Sequence, residues 1–398
     1  MKGILKRLGV CLVCLSMLAP GAMAASAEPQ GAPELEAPSA VLMERETGAV
    51  LYAKGETERR PPASVTKVMT LLLAAEAVDS GALDLDEKVR ASANAASMGG
   101  SQIWLEEGEE LSVAELIKCV AVVSANDCAV ALAERIAGSE AAFVERMNER
   151  AAELGLENTR FTNCTGLFDD TGHYSCALDI ARMSCELLGH EWIREYTTIW
   201  MDSIRDGAFE LTNTNKLVRN YEGCTGLKTG YTSTAMYCLA ASAEREGTEY
   251  VAVIMHAESV ESRNRDAAAL LDYGFAGWRL CRTAEGVELP ELAVELGTAE
   301  RVGTVCDGGG AILLRVSDAR GLERSLELPE SVAAPVQAGQ RLGTLVLSNG
   351  SGRLAEIPVL AAESVPRLGA AGVFLRMLGL LAGLSGGSGE SAGAFGGL

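Results

Sequence analysis

Histidine is scarce in this chain, with three among 398 residues, His173, His190 and His256, each far from the others. Zinc sites need imidazole or thiolate ligands at short, regular spacings, so there is no metal signature, and no cofactor is expected. Basic charge is also in short supply, with 34 Lys and Arg against 54 Asp and Glu and a formal net charge of −20. Such a surplus repels phosphate backbones and anionic lipid surfaces. It argues against a nucleic-acid partner but places no bar on a small peptide bound in a local pocket. The apolar run from Leu8 to Leu18 is too short to span a bilayer comfortably. Cysteine is present without a pattern. Eleven residues fall to nine once Cys11 and Cys14 are set aside. An odd number cannot all pair, and beyond those two no Cys-x-x-Cys spacing occurs. Buried free thiols acting as small apolar groups are expected.

What the chain does contain begins with a leader. Lys2, Lys6 and Arg7 flank the apolar run, and small residues then offer cleavage after Ala24 or Ala27. Residues 1–27 read as an export signal; neither Cys11 nor Cys14 follows the small residue that lipid attachment wants. Residues 28–38 form a loose Pro/Glu/Ala linker. Beyond it, 48% apolar and 22% charged residues mark a globular protein long enough for two domains. Residues 39–44 and 49–52 read as strands joined by a turn. Pro61 and Pro62 open a long helix through Met69, Leu72, Leu73 and Ala75, since a first-turn N–H needs no partner. Further helices are predicted over 111–123, 127–136, 141–154, 178–188 and 264–275, and strands over 235–242 and 249–255. Strands at both ends with helices between them suggest one sheet built from distant segments. From about 283, short apolar runs alternate with glycine-rich turns, the pattern of a small β domain. The tail from 366 has the composition of a helix lying along a membrane surface or of a dispensable end.

Three short elements carry chemistry. Ser64-Val65-Thr66-Lys67 reads as one turn into a helix, which puts a hydroxyl and an amine at i and i+3 on one face. Serine needs an adjacent base to attack a carbonyl, and a lysine kept neutral by desolvation can serve. No other lysine here has a serine three residues before it. Ser-x-Asn occurs at Ser92/Asn94, Ser124/Asn126 and Ser262/Asn264. The first and last suit a helix cap and a helix start. Ser124-Ala125-Asn126 falls at a break between two apolar helices, where both side chains can enter a cleft. Lys228-Thr229-Gly230 precedes a strand pattern. Glycine on a strand edge lets an extended peptide approach closely, and lysine with threonine offers a cation and a donor to a carboxylate. An ordinary polar turn is the plainer alternative for this triplet.

In this order the three elements are the signature of penicillin-binding proteins and class A β-lactamases. The chain resembles the low-molecular-mass D-alanyl-D-alanine carboxypeptidases, serine peptidases of the β-lactamase/transpeptidase-like superfamily, from about 39 to 275. The likeness runs through Pro62-Ala63-Ser64-Val65-Thr66-Lys67-Val68-Met69-Thr70, Gly99-Gly100-Ser101, Ser124-Ala125-Asn126-Asp127, Met147-Asn148 and Asn158-Thr159-Arg160-Phe161. It continues in His173-Tyr174-Ser175 and Gly226-Leu227-Lys228-Thr229-Gly230-Tyr231-Thr232. The resemblance implies an α/β (α+β) fold: a β-lactamase/DD-peptidase-like antiparallel sheet flanked by helices over 39–280, followed by a small all-β domain over 283–365. The tail 366–398 would include a membrane-associating helix.

It also implies roles. Ser64 would attack the penultimate D-alanine carbonyl with Lys67 as base. Ser124, between Lys67 and Lys228, would pass the proton to the departing amine. Asn126 would hold the substrate side-chain amide and orient Lys67. The oxyanion would lie between the N–H groups of Ser64 and Tyr231, and Thr229 and Arg263 would receive the terminal carboxylate beside Gly230. A surface arginine at a helix start is the plainer reading of Arg263. Implied partners are the peptidoglycan stem peptide, β-lactams as covalent inhibitors, and a membrane surface met by the tail. The implied location is the periplasm or the outer face of the cytoplasmic membrane. Ala125 replaces the glycine common in the family, and Cys176 stands where threonine often follows His173-Tyr174-Ser175; neither carries a catalytic group. A β-lactamase would need a Glu-x-x-Leu-Asn element between Asn126 and Lys228, which is missing. A DD-endopeptidase or transpeptidase shares the acylation chemistry and stays open. A cell-wall-binding protein without turnover is the remaining alternative.

Overall fold

Residues 250–255 form an unbroken apolar run rather than an alternating one, and the structure supplies the reason: their strand lies in the middle of a sheet covered on both faces. The structure, a computed structural model, describes residues 31–167, 170–307 and 310–381. The expected export signal over 1–27 lies outside the described residues. In chain order come strands β1 (Ser39–Glu44) and β2 (Val50–Lys54), a 3-10 turn (Ala63–Thr66) and helix α1 (Lys67–Asp79). Strand β3 (Lys88–Arg90), α2 (Ala93–Ala96), β4 (Glu110–Ser112) and α3 (Val113–Val122) follow. Then come α4 (Asn126–Ala137), α5 (Glu140–Glu153), α6 (Ala177–Gly189), α7 (Arg194–Thr197), the hairpin β5 (Met201–Ile204) and β6 (Phe209–Thr212), and α8 (Leu217–Asn220). Strands β7 (Cys224–Thr232), β8 (Met236–Arg245) and β9 (Thr248–Ala257) lead into α9 (Val260–Gly277).

Helix starts follow local polar chemistry. Ser92, Ser139 and Ser259 each accept from the N–H three residues on, and Ser112 forms a capping box with Glu115. Gly138, at φ +83, closes α4 in a conformation that suits glycine.

The sheet is antiparallel, in the order β2-β1-β9-β8-β7, with Val41 opposite Val253. One face packs Leu239, Tyr250 and Ile254 against Ala267, Leu270 and Leu271 of α9. The other packs Val41, Val251 and Val253 into a larger core with Leu72, Ile117, Leu132, Phe143 and Met183 from the inserted helices. That insertion leaves β7 as an edge strand beside the turn that carries Ser64.

Strand β10 (Trp278–Arg282) follows α9 directly and pairs with β14 (Ala311–Arg315). A strand therefore bridges the junction expected near 280–283. Strands β11 (Leu292–Glu295), β12 (Arg301–Val302) and β16 (Ser331–Ala333) form one small sheet. Strands β13 (Thr304–Cys306), β15 (Glu323–Glu327), β17 (Arg341–Asn349) and β18 (Gly352–Ala361) form another. The region is all-β apart from a single helical turn, α10 (Val316–Ala319), before helix α11 (Ala370–Leu381). Among the described residues no helix is long and apolar enough to cross a membrane. The nine cysteines among those residues are free thiols.

Tyr250 ties the sheet to α9: it is fully buried, its ring meets Phe275 edge-on at 4.9 Å, and its hydroxyl donates to the Trp278 carbonyl at 3.1 Å. Tyr250→Ala is expected to lower unfolding free energy by about 3–5 kcal/mol. Tyr250→Phe, which removes only the hydrogen bond, should lower it by about 0.5–1.5 kcal/mol. Urea denaturation of both variants checks the order.

Candidate active site

Ser64 does not lie inside an α-helix as its spacing to Lys67 suggested. Ala63 takes φ +48, and Ala63–Thr66 winds as a 3-10 turn, with Lys67 the first residue of α1. Three residues per turn eclipses i and i+3 more closely than an α-helix does. The Lys67 amine accordingly donates to Ser64 Oγ at 3.0 Å and to the Thr165 carbonyl at 2.8 Å. Lys67 is fully buried, and that burial pulls its pKa from 10.5 down to about 7, against the opposing pull of Cys164 and Asp127. Thr165 is held by an Asx turn: Asn163 Oδ1 accepts from the N–H of Thr165 at 3.1 Å and of Gly166 at 2.6 Å. Gly166 sits at φ +71, and a Cβ there would fall 1.9 Å from the Ala63 carbonyl oxygen. Only glycine lets this loop reach under the serine turn.

The second wall joins α3 to α4. Ser124 takes φ +64, and its Oγ is buried without a hydrogen-bond partner. Ala125 keeps φ −57 and packs into the core, so glycine is not needed there. Asn126 is the first residue of α4, not part of the break. Its Nδ2 donates to the Gly99 carbonyl and its backbone N–H to the Ser101 carbonyl, both at 2.7 Å, while its Oδ1 is buried and unpaired. Asp127 Oδ2 accepts from the N–H groups of Ile103 and Leu105, each at 3.0 Å, which pins the loop 99–105 to the start of α4.

The third wall is β7. Gly230 packs against the serine turn, where a Cβ would come within 2.8 Å of the Pro62 carbonyl oxygen and 3.0 Å of the amide nitrogens of Ser64 and Val65. Its small size thus serves the approach of that turn, in addition to the role in peptide approach expected of it. Lys228 is buried, with Nζ donating to the Thr229 carbonyl at 3.0 Å. Burial first, then the cations of Lys67 and Arg263, hold its pKa well below the usual lysine range. Thr229 Oγ1 donates to Thr214 Oγ1 at 2.7 Å, and the Thr214 N–H donates to the Val122 carbonyl at 3.1 Å, linking β7 to the Ser124 loop. Arg263 is 4% exposed, which removes its reading as a surface arginine, and burial lowers its pKa. Tyr231 stands out at 55% exposure with its ring 4.5 Å from that of Tyr237.

These contacts close a ring. Lys67 joins Ser64 to Thr165; Gly100 approaches both Leu167 and Asn126; Ser124 connects through Val122 and Thr214 to Thr229; and Gly230 returns to Ser64. Ser124 is within the ring but hydrogen-bonds neither lysine. Thr165, Gly166 and Thr214 carry no signal of their own among the sequence motifs, and Asp127 enters there only through the resemblance. The Asn163-x-x-Gly166 spacing was the available turn signal for the first two; Thr214 had none. Cys176, in the family's threonine position, still caps α6, its thiol accepting from the Asp179 N–H at 3.5 Å.

A family model described as D-alanyl-D-alanine carboxypeptidase matches residues 24–259. The chain belongs to the D-alanyl-D-alanine carboxypeptidase family. Its members are serine peptidases, and this chain is an enzyme of that hydrolase class. A second model, the C-terminal domain of penicillin-binding protein 5, matches residues 283–367 of this carboxypeptidase-family chain. The chain is 44% identical over 346 residues to D-alanyl-D-alanine carboxypeptidase DacF of Bacillus subtilis, covering 84% of this chain and 87% of that one. It is 32% identical to DacD of Escherichia coli, over 84% and 88% of the two chains. The fold is similar to that of penicillin binding protein 5 from Haemophilus influenzae, with a TM-score of 0.73, 29% identity, and coverage of 84% and 99%. Penicillin-binding protein D2 of Listeria monocytogenes, solved in an ampicillin-bound form, superposes with a TM-score of 0.56 at 32% identity, over 61% and 98%.

Because burial favours the neutral amine, acylation by a β-lactam should rise with pH through an ascending limb near 7, set by Lys67 losing its proton. Stopped-flow acylation rates between pH 5 and 9 check this; a rate still rising tenfold per pH unit at pH 9, as a base with the free-lysine value of about 10.4 would give, counts against it. Gly166→Ala should displace the serine turn and lower the acylation rate by about 10²-fold, measured in the same assay.

Proposed function

We propose that this enzyme removes the terminal D-alanine from peptidoglycan stem pentapeptides through an acyl-enzyme on Ser64. The observation that carries the proposal is the buried Lys67 amine, 3.0 Å from Ser64 Oγ and pulled to a pKa near 7. A neutral amine at that distance takes the serine proton as Oγ attacks the penultimate D-alanine carbonyl. The oxyanion then lies between the N–H groups of Ser64 and Tyr231, an arrangement that typically contributes about 2.7–4 kcal/mol per donor. Ser124 relays the proton from Lys67 to the departing D-alanine amine, closing its hydrogen bonds on the bound substrate. Asn126 Oδ1, buried and unpaired, accepts from a substrate amide N–H. Water hydrolyses the ester and restores Ser64. Thr229 and Arg263 receive the substrate's carboxylate beside Gly230. That anion also raises the Lys228 pKa back toward the charged form.

The export leader and the family's peptidoglycan chemistry support action in the periplasm or on the outer face of the cytoplasmic membrane. Helix α11 exposes Phe374, Leu375, Met377 and Leu378, which supports a peripheral membrane contact by the tail. The division into a catalytic domain ending near 280 and a β domain from 283 follows the same reading.

The test has two stages. Purified mature protein should bind a fluorescent penicillin one to one, and Ser64→Ala should bind none while keeping its fold. D-alanine should then be released from a pentapeptide by wild type, with Ser64→Ala at background. Folded wild type that takes no label is a wall-binding protein and sinks the proposal. Labelled enzyme that leaves the pentapeptide intact without an acceptor amine is a transpeptidase.

A further inference from the structure

The His173-Tyr174-Ser175 segment is strung between two of the chain segments that build the serine side of the site. Ser175 pairs with Arg60, Tyr174 pairs with Arg160, and the His173 N–H donates to the Asp170 carbonyl at 2.9 Å. The buried imidazole is thereby delivered between the turn at 63–66 and the loop at 162–166. Its Nε2 lies 2.7 Å from Thr66 Oγ1, and the Thr162 N–H donates to its Nδ1 at 3.1 Å. Phe161 meets the ring edge-on at 5.8 Å.

These contacts fix which nitrogen carries the proton. A backbone N–H can only donate, so Nδ1 is the bare, accepting nitrogen. Burial pulls the pKa from 6.5 down to about 4, against the opposing pull of Asp170, so the ring is neutral near pH 7. Its one N–H is therefore on Nε2, and it donates to the Thr66 hydroxyl.

A buried histidine with both nitrogens satisfied is commonly a packing residue. This one differs in where its bonds end. Thr66 is the last residue of the 3-10 turn that carries Ser64, and it immediately precedes Lys67. Thr162 opens the loop in which Asn163 Oδ1 gathers the N–H groups of Thr165 and Gly166. The Thr165 carbonyl of that loop accepts from the Lys67 amine at 2.8 Å. Turn and loop are also in close packing, since a Cβ on Gly166 would fall 2.6 Å from Thr66 Oγ1. Lys67 bonds to the turn and to the loop, and His173 joins the same two segments.

We propose that His173 is a positioning residue for acylation: as the Nε2–H tautomer it clamps Thr66 to the 162–166 loop and so holds the Lys67 amine against Ser64. The inference rests on the acyl-enzyme reading above and adds to it a group that acts without touching substrate.

Acylation by a β-lactam separates a clamp from mere packing. His173→Gln keeps a donor for Thr66, whereas His173→Asn is too short to reach it but keeps an acceptor for Thr162. His173→Asn should lower the limiting acylation rate by about 10- to 100-fold, with little change in the β-lactam concentration that gives half that rate. Its ascending pH limb should move up from about 7 toward the free-lysine value as water reaches Lys67. His173→Gln should recover part of the rate and Thr66→Val should repeat the loss. The double variant His173→Asn/Thr66→Val should then lose little more. Nitrogen NMR of histidine-labelled wild type should show His173 with Nδ1 bare and Nε2 protonated. A folded His173→Asn with the wild-type rate and limb overturns the clamp and leaves the acyl-enzyme reading intact. So do the opposite tautomer and fully additive losses in the double variant. Should His173→Asn misfold, Thr66→Val carries the test, and a wild-type rate in it overturns the clamp. Wild type that no β-lactam acylates overturns both readings.

Discussion

Everything in the site depends on keeping an amine without its proton beside a serine. Lys67 has no carboxylate in ion-pair distance among the described residues; its partners are a hydroxyl and a carbonyl. Removing a charged ammonium from water with no counter-ion costs several kcal/mol, and losing the proton avoids that cost. The surrounding architecture serves this. A 3-10 turn brings Ser64 over Lys67, and Gly166 and Gly230 let a loop and a strand close on that turn from two sides.

The same logic extends to the rest of the cleft. Lys67, Lys228 and Arg263 are all buried in a chain whose formal net charge is −20, and none has an acidic ion-pair partner among the described residues. Three basic groups clustered without acidic partners disfavour one another's charged forms. A substrate carboxylate relieves that strain when it binds, so part of the binding free energy is set by what the free protein lacks. The buried, unbonded oxygens of Ser124 and Asn126 are of the same kind: polar groups left unsatisfied by the protein where a peptide can satisfy them.

Local sequence read well where chemistry is local. The β1–β2 hairpin, the long inserted helices α1, α3, α4, α5 and α6, β8, β9 and α9 lie where turn residues, serine caps and apolar periodicity put them, within a few residues, while the single-turn helices α2, α7 and α8 carry no such pattern. The misreadings involve long-range contacts. Ser64 was placed in an α-helix because nothing in its neighbours reports that Gly166 must fit under Ala63. The contact of Gly230 with the serine turn is invisible in the sequence because that turn comes from more than a hundred residues earlier. Arg263 had a plausible surface reading because a helix start is usually exposed, and only α9's packing on the sheet buries it.

The chain's order of residues by itself determined the reactive groups, their family resemblance, and the sheet assembled from distant strands, since these follow from residue type, spacing and hydrophobic period. Tertiary structure alone decided that Lys67 is dry enough to be a base, that Thr165 and Thr214 join the ring, and that Arg263 is buried. The physical reason is that a pKa, a hydrogen bond between remote loops and a side chain's exposure depend on what the folded chain brings near. Sequence spacing carries no record of that proximity.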